Sequence, residues 1–123
     1  MKQPGFTLIE LVVVLSLVGL LSIVSLRPLH GWLSQVNLTA AAHLIAAELQ
    51  ALRSEAAAGH ETKVFEPAAL ALPKGIRLSG SQQLSFSATG FPPPGGSGTL
   101  IAENSYGKQK KVILSSSGRV RIE

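Results

Sequence analysis

"GFTLIELVVVLSLVGLLS", residues 5–22, is apolar enough to lie in a lipid bilayer, yet it carries a glutamate. Glu10 is the only charged residue between Phe6 and Leu26. A carboxylate deep in a bilayer costs about 2.5–3.5 kcal/mol on insertion scales, and less near the bilayer edge. A segment needed only as an anchor would place leucine there. Glu10 therefore needs a partner.

Three readings compete for residues 1–26. A secretory signal peptide has a basic start, an apolar stretch of about 7–15 residues and an A-x-A-like cleavage site. The apolar stretch here is longer, and "SIVSLRPLHGW" offers no alanine pair at its end. A plain transmembrane anchor fits the length, since about 20 apolar residues span the hydrocarbon core. It leaves Glu10 unexplained. The third reading uses all the features together: a short leader, "MKQPG", ending in Gly5, then Phe6-Thr7-Leu8-Ile9-Glu10.

That combination resembles the type III signal of type IV pilins and of the pseudopilins of type II secretion. Gly5, Phe6, Thr7, Glu10 and the uninterrupted apolar run match at fixed spacing, and Gly19 sits where the family commonly has glycine. The resemblance implies that a prepilin peptidase/N-methyltransferase cuts between Gly5 and Phe6 and methylates the new amine of Phe6. It also implies that Glu10 pairs with the amine of a neighbouring pilin or pseudopilin subunit during filament assembly. The physics is coherent. Opposite charges attract strongly where the dielectric is low, and an unpaired one is penalised there. The implied location is the bacterial inner membrane, single-pass, with the N-terminus cytoplasmic and the C-terminal domain outside. An inner-membrane assembly platform would then move the subunit into the pilus or pseudopilus.

The remainder of the 123-residue chain has room for one domain. Residues 28–31, "PLHG", are expected to interrupt the helix. Helical periodicity then resumes, with Leu33, Val36, Ala40, Leu44, Ile45, Leu49, Leu52 and Ala56 forming one apolar stripe. Alanine-rich residues 40–58 favour the helix and give it a slim face, and Gly59 is the expected C-cap. After Gly59, "TKVFE", "GIRLSG", "QLSFSA", "GTLIAE", "KKVILS" and "GRVRIE" read as short strands divided by Gly, Pro and Ser turns. "SSSG" before Arg119 reads as a hairpin turn. The expected fold is α+β, a long N-terminal helix packed on a small antiparallel β-sheet domain. Its expected divisions are a leader (1–5), a transmembrane helix (6–26), an amphipathic helix (27–60) and an antiparallel β domain (61–123).

The second half carries a further resemblance, to the GspH/FimT group of minor pseudopilins and minor pilins. The matching parts are Arg53-Ser54-Glu55-Ala56, the step from a strand phenylalanine to glycine, Gly98-Thr99 and Gly118-Arg119-Val120-Arg121.

Other chemistry finds little support. His30, His43 and His60 lack metal-ligand spacing, and the serines lack His/Asp company, so no catalytic residues, metal or cofactor are expected. Without cysteine there is no disulfide framework. Trp32 fits an interfacial anchor beside the membrane exit. A structural role, reaching the sheet or a neighbour, is expected of Arg53. A formal charge of +4 permits an anionic partner, nucleic acid or lipid, without demanding one.

The C-terminus concentrates that charge. Lys108, Lys110, Lys111, Arg119 and Arg121 face only Glu123 among residues 104–123. On a strand, Arg119 and Arg121 share a face about 6.6 Å apart, a spacing suited to DNA phosphates. The competing role is a solvated strand whose charges discourage edge-to-edge pairing. The expected function is a non-enzymatic minor pseudopilin of a type II secretion system. The alternative is a minor type IV pilin binding DNA for uptake.

Overall fold

The structure is a computed structural model and describes residues 3–81 and 83–123. It is α+β, as expected. One helix, α1 (Leu8–Gly59), precedes six strands: β1 (Lys63–Val64), β2 (Arg77–Gly80), β3 (Ser85–Phe86), β4 (Gly98–Glu103), β5 (Gln109–Leu114) and β6 (Val120–Ile122). A short 3-10 helix, Pro67–Ala69, lies between β1 and β2. The chain divides into two compact units, Met1–Leu33 and Ser34–Glu123.

In the first unit the side chains of residues 3–33 are exposed, including the run from Leu8 to Leu29. An 18-residue window of this helix has a mean hydropathy of 2.6 with none of it buried, enough to cross a membrane by length and composition. Its serines do not spoil that character. Ser16, Ser22 and Ser25 donate to the carbonyls of Val12, Val18 and Leu21 at 2.7, 2.8 and 2.9 Å, so each hydroxyl is satisfied within the helix.

The interruption expected at residues 28–31 does not occur, and Pro28 lies inside α1. Proline forfeits one backbone bond there, to the Val24 carbonyl. A full break would strand about four N–H and four C=O groups at the new helix ends. Continuing costs less.

In the second unit, Leu38, Ala41, Ala42, Ile45, Leu49 and Ala56 are buried, at three- and four-residue steps along α1. This corrects the start of the expected stripe, because Leu33, Val36, Ala40 and Leu44 are exposed. The helix is apolar nearly all round here, so periodicity alone admits two registers. The one adopted turns the small Ala41 and Ala42 inward, where a sheet can approach closely.

The larger sheet has the order β2-β4-β5-β6, all neighbours antiparallel, and β1 pairs with β3 in a second sheet of two strands. Strand alternation gives the larger sheet two faces. Leu78, Leu100, Ala102, Val112, Leu114, Val120 and Ile122 point towards α1 and join the core around Ile45, Leu49, Phe65, Leu84 and Phe86. Arg77, Ser79, Thr99, Ile101, Glu103, Gln109, Lys111, Ile113 and Arg121 make the outer face, by the registers Arg77↔Glu103↔Gln109 and Ile113↔Arg121.

Both hairpins of this sheet turn the same way. Gly107 N donates to Asn104 O and Asn104 N to Lys108 O, at 3.1 and 2.9 Å. Gly118 N donates to Ser115 O and Ser115 N to Arg119 O, at 2.9 and 3.0 Å. The glycines have φ of +77° and +80°, the left-handed position that closes such a loop.

The C-terminus of α1 differs in detail from expectation. Gly59 ends the helix, but the left-handed residue is His60 at φ 51°, with Glu61 N donating to Ala56 O at 3.3 Å. That is the Schellman pattern with histidine where glycine is preferred. His60→Gly removes a strain of about 1 kcal/mol and gives part of it back through the freer unfolded chain. A net gain of about 0.5 kcal/mol is expected, read as a higher urea midpoint at unchanged slope. An unchanged or lower midpoint contradicts the strain assignment.

Candidate functional site

Residues 3–7 are non-helical and exposed, so the Gly5–Phe6 bond is accessible, and the Phe6 side chain is 88% exposed. A Cβ built at Gly5 meets nothing within 4 Å, and its φ is not left-handed. The chain itself places no demand for glycine at this position.

Thr7 is the N-cap of α1 and Glu10 its N3 residue. Thr7 Oγ1 accepts from Glu10 N at 3.3 Å, and Glu10 Oε2 accepts from Thr7 N at 3.0 Å and from Thr7 Oγ1 at 3.2 Å. This is a capping box, T-x-x-E, with the carboxylate at the positive end of the helix dipole. Glu10 thus has a partner within its own chain. Charge patterning does not reveal this partner, but Thr7-x-x-Glu10 before an apolar run is its sequence signal. Both side-chain bonds fall on Oε2. No donor among the described residues reaches Oε1, so the carboxylate keeps acceptor capacity for a cation from elsewhere.

The structure divides the five C-terminal cations. Lys111 and Arg121 are exposed on the outer side of the sheet, and Arg119 is exposed at the β5–β6 turn. Lys111 exchanges backbone bonds with Glu123, at 2.7 and 2.8 Å, which sets an opposite charge beside it. Lys110 alternates onto the helix-facing side in the row Leu78↔Ala102↔Lys110 and is half-buried. Lys108 lies in the β4–β5 turn, and its Nζ donates to Gln35 Oε1 on α1 at 3.2 Å. Lys108 and Arg119 therefore sit at opposite ends of β5. Tyr106, the ring nearest in sequence, shares the turn with Lys108 and not the end with the arginines.

Arg53 ties the other end of the domain together. Its Nη1 donates to Gly118 O at 3.3 Å, and its guanidinium lies 5.5 Å from the centroid of the Phe91 ring. A Cβ at Gly118 would lie 3.4 Å from the guanidinium carbon, an ordinary contact, so it is the left-handed φ of +80° that favours glycine there. Arg53 thus reaches the sheet, in the structural role expected of it. No group of three or more His, Cys, Asp or Glu that could hold a metal occurs among the described residues.

The prokaryotic N-terminal methylation motif matches residues 1–26. No curated protein and no solved structure matches the chain. The motif, the long apolar helix and the small β domain fit a type IV pilin-like protein. The motif supports a type IV pilin or pseudopilin, and it implies processing by a prepilin peptidase and assembly with other pilin subunits. The apolar helix fits the membrane anchor typical of prepilins, a family whose members are structural and not enzymatic.

Proposed function

We propose that the chain is a minor pseudopilin of a type II secretion system, cut between Gly5 and Phe6, methylated on the Phe6 amine and held in its filament through Glu10. The observation that carries this reading is the N-terminus itself. An exposed glycine that the chain's own geometry does not require stands just before an apolar helix capped by a carboxylate with a free oxygen. Glycine there serves whatever reads the segment, and the free carboxylate oxygen serves a neighbour's amine. In the unassembled subunit the capping box satisfies Glu10, which eases its residence at the membrane edge.

The choice of a minor pseudopilin draws on the second half of the chain. Arg53 and Gly118, parts of the pattern that resembles the GspH/FimT group, meet at one point beside the Phe91 ring and brace the end of the domain. The DNA-binding reading would rely on Arg119, Arg121 and Lys111, since Lys108 and Lys110 lie elsewhere and Glu123 offsets Lys111. Three cations without a stacking ring make a weak nucleic-acid site. The test is a strain lacking this chain. Export of proteins across the outer membrane should stop while transformation by added DNA continues. Intact export with lost transformation contradicts the proposal.

A further inference from the structure

Lys108, one of the cations that leave the DNA reading, stands with Lys74 and Arg77 at one end of the second unit. The β4–β5 turn carries Tyr106 and Lys108, and the last row of the sheet, Arg77↔Glu103↔Gln109, lies next to it. The turn containing Lys74 and Gly75 meets the same place. Gly75, Ile76, Asn104, Ser105 and Gly107 line a shared cavity of about 640 Å³. Lys74, Arg77, Tyr106 and Lys108 are all exposed, Tyr106 at 61%. The anion at this end is Glu103, which accepts from Gln109 Nε2 at 3.3 Å. Asn104 makes the turn rigid, since its Oδ1 accepts from Tyr106 N and Lys108 N at 3.1 and 2.9 Å.

The place of this cluster along the chain gives it meaning. Lys108 is bonded to Gln35, three residues after the exposed Trp32 and two after the end of the first unit. Three residues reach about 11 Å even when fully extended. Covalent reach therefore keeps Gln35, and the Lys108 ammonium bonded to it, within reach of Trp32, the residue expected at the membrane interface. That distance is comparable with the Debye length, about 8 Å at physiological salt. Cations held there feel the field of a charged bilayer, and an exposed tyrosine is the kind of side chain that settles among headgroups.

We propose that this end of the domain, through Lys74, Arg77, Lys108 and Tyr106, docks on anionic lipid headgroups while the subunit waits in the membrane. Docking holds the domain down against the bilayer and is released when the helix is drawn into a filament. The inference rests on the membrane-anchored reading of the first unit. Each cation contributes about a five-fold preference for an anionic surface, and with Glu103 set opposite Arg77 the net of two favours the docked state about 25-fold.

The chain has no cysteine, so single probes can be placed cleanly. The full-length protein is reconstituted in bilayers of phosphatidylcholine, alone or with roughly one-third phosphatidylglycerol. A fluorophore is attached at Ser105→Cys or, at the other hairpin, Ser116→Cys, and quenched by spin-labelled headgroups. Strong quenching at Ser105 in the anionic bilayer alone, with little at Ser116 in either, is the expected result. The combined Lys74→Gln, Arg77→Gln and Lys108→Gln variant should fall to the neutral-bilayer level, while Lys74→Arg with Lys108→Arg keeps the effect. Equal quenching in both lipids, or equal quenching of both probes, overturns the inference. So does binding of an added DNA oligonucleotide that depends on these cations while lipid composition changes nothing. Resistance to alkaline extraction is measured in the same bilayers. Failure to insert defeats the anchor reading, whereas insertion without docking defeats this inference alone.

Discussion

Glu10→Gln is expected to stop incorporation into filaments while leaving the start of the helix intact. Glutamine at N3 can still accept from the N-cap residue, so the capping box with Thr7 survives. What disappears is the charge. A neighbour's amine brought to this position would then sit unpaired in a low-dielectric setting, at a cost of about 3–5 kcal/mol, or at least 100-fold in assembly. Insertion and peptidase cleavage should proceed, since neither uses the carboxylate. Thr7→Val provides the complement. It removes the hydroxyl that caps the helix, at about 1 kcal/mol, but keeps the carboxylate. Assembly should therefore weaken much less than with Glu10→Gln. Filament incorporation, read by shearing and immunoblotting, separates the two. Wild-type incorporation of Glu10→Gln would show that Glu10 serves only as a cap.

The second large effect lies in the β domain. Phe86→Ala should destabilise it by about 3–5 kcal/mol, a large part of the total for a domain of this size. Phe86 is fully buried and is among the largest core side chains, opposite Lys63 in the β1–β3 pair and packed with Phe65 and Leu84. Removing the ring opens a cavity among groups held by two sheets and a helix, so collapse around it is restricted. A fall in Tm of about 15–30 °C follows. Val64→Ala, in the neighbouring strand but 54% exposed, should change stability by no more than about 0.5 kcal/mol. Comparable losses at the two positions would contradict the core assignment.

Much of this architecture was legible from residue types alone. Each of the six strands coincides with one of the expected runs, β5 starting one residue early at Gln109, because glycine, proline and serine close the turns between them. The β5–β6 hairpin was legible at "SSSG", but the pairing of the earlier strands was not. β1 meets β3 and β2 meets β4, so neighbours in the sheets are not neighbours in sequence, and short strands carry little signal of register. Along α1 the failure had a different source. Alanine and leucine occur on nearly every face, so the buried face was decided by packing against the β-domain core at Ala42, Ile45 and Leu49. Pro28 misled for a simple reason, since one forfeited bond is cheaper than two new helix ends.

The candidate site divides in the same way. Gly5, Phe6 and Glu10 stand out through spacing and charge, whereas Thr7 contributes through hydrogen bonds, which charge patterning does not reveal. The C-terminal cations looked like one patch because they are close in sequence. Alternation sends Lys110 inward and Lys111 outward, and the length of β5 separates Lys108 from Arg119.

The most direct measurement is the mass of the N-terminal peptide of the protein extracted from its native membrane. A peptide beginning at Phe6 and carrying one methyl group on its amine is the predicted result. A peptide that still begins at Met1, or a mature chain that begins after Leu26, would contradict the central claim that Gly5 and Phe6 flank a processing site.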